Sequence, residues 1–237
     1  MSEVWHGCAI ILLYFAVCAT SALVAHALFP IPSEVFRKLL HMILLGSLSV
    51  WTVVFSRWQT AAITAVAFAL LVWPILALAE RLKGYSALLT ERKQGEIKSS
   101  LLLVFFMYAA VVCLCWGLFH DRLLALAGIY AWGFGDAAAA LIGKRFGRHH
   151  FKGREPLCRK SWEGTGSMFA VSFVSVLAVL TARGGLSLPA LIGISACTAA
   201  VSAVVELYSK NGMDTVTCPL AATAVLLPLT LFFGGGL

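Results

Sequence analysis

Eight stretches of this 237-residue chain are long and apolar enough to cross a lipid bilayer, and this constrains the fold more than any single residue does. A spanning helix needs about 20 mainly apolar residues, because inside hydrocarbon every backbone N–H and C=O must be paired within the segment. Runs of about 18 or more such residues predict spans at 8–29, 39–56, 60–80, 99–119, 123–143, 165–182, 187–208 and 216–234. The second follows Pro30 and Pro32, which start a new element, and the fifth is interrupted by Gly133, Gly135 and Asp136. The expected architecture is an all-α integral membrane protein, one transmembrane domain over 1–237 with eight helices in one bundle. No internal repeat or long polar domain is present, so chemistry must happen within or beside the helices. The N-terminal MSEVWHG lacks the positive region of a secretory signal, so the first stretch is expected to be a retained span.

The distribution of cations tests the count independently. Fifteen of the 18 Lys and Arg residues fall in the odd-numbered loops, and only Arg57, Arg122 and Arg183 fall in the even ones. Cytoplasmic loops carry the excess of Lys and Arg. The split therefore predicts both termini outside and cytoplasmic loops at about 30–38, 81–98, 144–164 and 209–215. Omitting one span would scramble the alternation.

The net charge of +7 invites a nucleic-acid reading, but the chain is 60% hydrophobic and only 12% charged. Soluble domains carry about 25% charged residues, and in a chain this apolar the loop charge sets orientation. Nucleic acid is not an expected partner. The seven cysteines, Cys8, Cys18, Cys113, Cys115, Cys158, Cys197 and Cys218, are odd in number and mostly lie in apolar stretches. They have no zinc-ligand spacing and read as small buried residues without a disulfide framework.

Seven of the Lys and Arg residues crowd into Lys144–Gly164, KRFGRHHFKGREPLCRKSWEG. Such a concentration of cations and glycines points to an anion, phosphate first. Asp136 lies eight residues before Lys144, about 12 Å along a helix, and so inside the apolar zone. An intramembrane carboxylate costs roughly 2.5–3.5 kcal/mol even on the mild insertion scale. It reads as a magnesium ligand or general base, or else as a partner for Lys144 or Arg145 or a helix–helix hydrogen bond. Lys160 can neutralise phosphate charge, Ser161 can donate to a phosphate oxygen, and the amides near Gly164 to Gly166 form an anion site at a helix start. Glu163 suits magnesium. The same residues read equally as a helix start, with Ser161 as cap and Glu163 favoured by the dipole.

Arg37, Lys38 and His41 can share a helix face at the membrane boundary, as site residues or as interfacial anchors. The run Glu91–Lys98 alternates in charge and reads also as a solvated turn. Glu206 can serve a site or pair with Lys210 four residues on. His149 and His150 lie in the basic loop and read as solvated. The phosphate loop, the Rossmann fingerprint and the soluble-kinase motifs are absent from the sequence.

Taken in order, several short motifs resemble the membrane polyprenol kinases, a family that includes dolichol kinase, phytol kinase and the yeast-type diacylglycerol kinase. They are Arg37-Lys38-x-x-His41, Lys93-x-Gly95-Glu96, Gly135-Asp136, Ile142-Gly143-Lys144-Arg145-Phe146-Gly147, Lys160-Ser161-x-Glu163-Gly164-Thr165, and Glu206 with Asp214 and Pro219. They reach from about residue 37 to 220, all on the side predicted to be cytoplasmic. One departs from the pattern: Asp214 is followed by Thr215 where the family commonly has Asn.

The resemblance implies transfer of the γ-phosphate of a nucleotide, typically CTP, with Mg2+, onto the hydroxyl of a lipid alcohol such as a polyprenol, a phytol-like isoprenoid alcohol or diacylglycerol. It implies catalytic roles for Asp136, Lys160, Glu163 and Asp214, and nucleotide contacts for Lys93, Glu96, Lys144, Lys160, Ser161 and Gly164. Arg37, Lys38 and His41 would face the lipid substrate, and Asp136, Glu163, Glu206 and Asp214 the metal. Two other readings remain open: a phosphatidate cytidylyltransferase, whose C-terminal signature is not found here, and an ion-coupled transporter, suggested by Asp136 in a glycine-broken span.

Overall fold

The computed structural model describes residues 2–81, 95–153, 155–210 and 212–234, and among these the fold is all-α, with one isolated β-bridge, His150 to Ser161. Among the described residues, eight helices are long and apolar enough to cross a membrane. They are α1 (Ser2–Leu28), α2 (Ser33–Val54), α3 (Trp58–Ala79), α4 (Glu96–Val112, extended by a π-helical turn Cys113–Leu118), α5 (Arg122–Phe146), α6 (Trp162–Arg183), α7 (Leu188–Tyr208) and α8 (Asp214–Gly234). The predicted loop residues Glu91, Arg92, Lys93 and Gln94 lie outside the described residues.

Helix ends fall further out than the apolar runs suggest. Helix α2 starts directly after Pro32, so Arg37, Lys38 and His41 are all helical. Helix α5 carries Lys144 and Arg145 in its last turn, where cations are favoured by the helix dipole. It also runs unbroken through Gly133, Gly135 and Asp136, which corrects the expected interruption. Gly135 serves a close approach instead of a break: a Cβ there would stand 2.4 Å from Ser172 Oγ and 3.1 Å from Met168 Cγ of α6.

The chain divides into two compact units, Met1–Ala110 and Val111–Leu237. In the first, Phe15, Trp51, Phe68 and Phe105 form an aromatic cluster with centroids 5.0–6.4 Å apart. Aromatic edge-to-face packing adds to the burial these rings already provide. Polar groups inside it are satisfied locally: Trp51 Nε1 donates to Thr64 Oγ1 at 3.0 Å, and the hydroxyls of Thr52 and Tyr108 meet at 3.1 Å. Large side chains that face outward, such as Leu12, Leu13, Ile63 and Leu71, meet lipid at no penalty, since acyl chains are as apolar as they are.

The second unit is built around α5, the most buried of the spans. Helix α5 packs on α6 and α8, and α7 packs on α6 and α8. Asp121 caps α5 by accepting from the N–H groups of Leu123 and Leu124 at 2.9 and 3.1 Å, and its other oxygen pairs with Arg183 at the end of α6. This ties one end of the unit. All seven cysteines are free; Cys115 and Cys218 are buried as expected, whereas Cys197 faces out from α7 and Cys158 lies exposed in the polar loop.

Gly135→Val should lower stability by about 1–3 kcal/mol, because overpacking forces the α5–α6 contact apart. A thermal unfolding midpoint in detergent reads this directly. Gly166→Ala, where the added Cβ meets nothing within 4 Å, should leave the midpoint unchanged or raise it.

Candidate active site

Opposite the Asp121–Arg183 tie, the other end of the second unit collects the last turn of α5, the loop 147–161, the first turn of α6, the last turn of α7 and the start of α8. Ser161 takes the N-cap position of α6, its Oγ accepting from Gly164 N–H at 3.1 Å. The capping reading of Ser161 and the first-turn placement of Glu163 both hold. Helices α5 and α6 approach closely here. A Cβ on Gly164 would lie 3.1 Å from the Ala139 carbonyl oxygen and 3.3 Å from Gly143 Cα. The loop itself folds as a strap: Phe151 N–H donates to Lys160 C=O at 3.1 Å, and Trp162 N–H donates to His149 C=O at 2.9 Å.

The strap delivers Lys160 to Glu206. The two are ion-paired, with Glu206 almost fully buried and Lys160 partly exposed. Glu206 therefore pairs across 46 residues of sequence, and the i,i+4 partner Lys210 is not the one used. Asp136, half-buried on α5, and Asp214, the first residue of α8, both lie near enough to Glu206 to act on its charge, and all three act on the Cys218 thiol. Asp136 and Asp214 thus lie within electrostatic reach of Glu206, whose ion-pair partner is Lys160. A carboxylate as buried as Glu206 is tolerable only with a cation nearby.

Glu163 is held differently. Its Oε1 lies 2.7 Å from His149 Nδ1, and its two oxygens accept from the His149 backbone N–H at 3.2 and 3.3 Å. His149 remains largely exposed, yet it is this residue that fixes the Glu163 carboxylate. Neither the Glu163–His149 bond nor the position of Cys218 beside the carboxylates has a signal in the sequence, because both follow from the turn of the strap and the depth of α8. Lys144 is exposed at the end of α5, and Gly164 is buried in the helix crossing.

In the first unit, Arg37 pairs with Glu34 on its own helix and approaches Glu96, at the start of α4, at 3.8 Å. Lys38 is buried and His41 half-buried on the same helix. Nearby in sequence to Glu96, Lys98 pairs with Glu80 at 2.6 Å and sits over the Trp73 ring. The structure thus brings Arg37 and Glu96 together, with Glu34 an addition the motifs did not name.

Fold and cluster define a multi-pass all-α membrane protein with a charged, partly buried site at one end of its second unit. No protein-family profile matches the chain, and no solved structure matches it. Among curated proteins it is similar to the phytol kinase of Synechocystis sp., with 35% identity over 103 residues, 44% of this chain and 43% of the relative. The chain therefore aligns with less than half the length of that relative. The match supports the resemblance to polyprenol kinases drawn from the ordered motifs.

Lys160→Met should destabilise the protein by about 3 kcal/mol, because it strands the buried Glu206 carboxylate. Adding Glu206→Gln should restore most of the unfolding midpoint in detergent. Equal midpoints for the single and double variants would show that the pair does not hold this end of the unit together.

Proposed function

We propose that this chain is a membrane lipid-alcohol kinase that transfers the γ-phosphoryl group of a nucleoside triphosphate, CTP by family resemblance, to the hydroxyl of an isoprenoid alcohol of the phytol type. The observation that carries this reading is the ion pair of Lys160 with the buried Glu206, with Asp136 and Asp214 within electrostatic reach of Glu206, at the end of the unit that holds the polar strap. The similarity to a phytol kinase supports the same reaction class. Phosphoryl transfer asks a protein for positioning and charge neutralisation more than for covalent chemistry, and these side chains supply both.

In this mechanism Lys160 leaves Glu206 for the phosphate oxygens of the bound nucleotide. The start of α6, capped by Ser161, presents its amides to the same anion. The alcohol oxygen attacks the γ-phosphorus as the bond to the β–γ bridging oxygen breaks. Asp136 accepts the alcohol proton, and the nucleoside diphosphate leaves. Asp136, Glu206 and Asp214 are hard oxygen donors of the kind Mg2+ takes, one or two carboxylates being enough when phosphate and water complete the shell. Among the described residues no group of three or more His, Cys, Asp or Glu stands at metal-holding geometry without substrate, so the carboxylates would hold Mg2+ together with the nucleotide. When bound, the ion would neutralise the developing charge on the phosphates. Glu163, fixed by His149, keeps the strap in register beside them.

The lipid would approach laterally. An open hollow of about 530 Å³ lies where α7 and α8 meet, lined by Val204, Val205, Tyr208, Met213 and Thr217, with Ser209 and Lys210 at the turn between the helices. It adjoins in sequence both Glu206 and Asp214, so an apolar chain lying there would bring its hydroxyl toward the carboxylates. The transporter reading loses its structural motive, because the helix that carries Asp136 is continuous.

The test is product identity with purified protein in detergent, Mg2+, CTP or ATP, and a panel of lipid alcohols. Alcohol-dependent release of CDP supports the kinase, whereas pyrophosphate release indicates nucleotidyl transfer. Asp136→Asn, which keeps volume and removes the charge, should reduce turnover by about a hundredfold or more. Full turnover in a folded Asp136→Asn variant would falsify the role given to this residue.

A further inference from the structure

We propose that Trp162 and Phe151 form a stacking platform for the nucleobase of the phosphoryl donor. The proposal rests on the kinase reading above and adds a subsite to it. Trp162 is the first residue of α6, yet 62% of its surface is exposed. Its indole lies against the Phe151 ring with centroids 4.3 Å apart and planes inclined by 31°. Phe151 thus supports the indole while most of the indole surface stays open.

Three features argue for a base as the occupant. The first is rigidity. Both rings sit on residues whose backbone is paired across the strap, Phe151 to Lys160 and Trp162 to His149. A platform already ordered loses little entropy on binding. The second is charge. Arg148 and Lys152 are exposed on the same strap, where Arg159 pairs with Glu155, so the rings stand in a net cationic setting that favours an anionic ligand with a π face over an acyl chain. The third is position. Trp162 lies between Ser161 and Glu163 and two residues beyond Lys160, beside the groups assigned to the phosphates. A nucleotide whose phosphates reach Lys160 and the start of α6 would carry its base out onto the strap.

Stacking tolerates any base, because every base has a π face. The platform therefore adds affinity for nucleotides in general and does not choose cytosine over adenine. Choice of base falls to other groups, and loss of the platform should weaken CTP and ATP alike.

The experiment uses the full chain in nanodiscs and compares inhibition of turnover by CDP and ADP with inhibition by inorganic pyrophosphate. Trp162→Ala should weaken both nucleoside diphosphates about tenfold and leave pyrophosphate within about twofold of its original value. Trp162→Phe should recover most of the loss, and Phe151→Ala should give a smaller one. If CDP and pyrophosphate weaken together, or neither does, the platform is wrong. If only the apparent KM for the alcohol or the retention in nanodiscs changes, the indole is an interfacial anchor and the platform is again wrong. A turnover-independent arm separates this from failure of the kinase reading. Photocrosslinking of an iodinated cytidine triphosphate, read by peptide mass spectrometry, should label the strap 149–162. Labelling elsewhere overturns the platform even where the kinase stands. If no alcohol supports nucleotide turnover and no labelling occurs, both fall.

Discussion

A side chain one carbon longer at position 164 would meet the carbonyl oxygen of Ala139 at 3.1 Å, and much of the second unit depends on that carbon being absent. The crossing of α5 and α6 at Gly143 and Gly164 sets how far the start of α6 stands from the end of α5. In a bilayer such close approach is a main source of helix association, since burial of apolar surface against another helix gains little over burial in lipid. The crossing leaves Ser161 in reach of the α6 amides and obliges the loop 147–161 to close as a narrow strap. The strap then fixes where Lys160 emerges, and Lys160 forms the ion pair with the buried Glu206. Placement of the polar cluster thus descends from a contact made wholly of backbone and small atoms.

Much of the architecture was legible in the sequence, because a bilayer imposes a condition that a single run of residues either meets or fails. Each apolar stretch declared itself without reference to its neighbours, and the helix count followed. The helix ends were less legible. Apolar runs stop where polar side chains begin, whereas helices continue as long as their backbone is satisfied, so α2 and α5 carry Arg37, Lys38, Lys144 and Arg145 beyond the apolar limit. Gly133-x-Gly135-Asp136 read as a break because glycine is a poor helix former. In place, Gly135 is occupied in letting Ser172 and Met168 close on α5.

The polar cluster was legible as a set of residues and illegible as a set of bonds. Asp136, Lys160, Glu206 and Asp214 stood out as charges that an apolar chain would not carry idly. That Lys160 faces Glu206 depends on two loops and two helix crossings, and no local spacing encodes it. Lys210, one turn away in sequence, was the natural local partner, and tertiary placement overrode it. His149 is solvated as its place in a polar loop suggests, and its bond to Glu163 is an addition that only the turn of the strap creates.

The Lys160–Glu206 pair also bears on how the chain is made. Polypeptides emerge N-terminus first, so the strap and its ammonium are synthesised before α7 brings a carboxylate to the membrane boundary. The earlier segment presents the counter-ion, and the later helix arrives to find it. Had the order been reversed, a bare acid near the end of α7 would have waited unpaired in the insertion machinery. The sequence order of these two residues therefore gives the nascent chain a path on which the buried Glu206 carboxylate follows its cationic partner to the membrane.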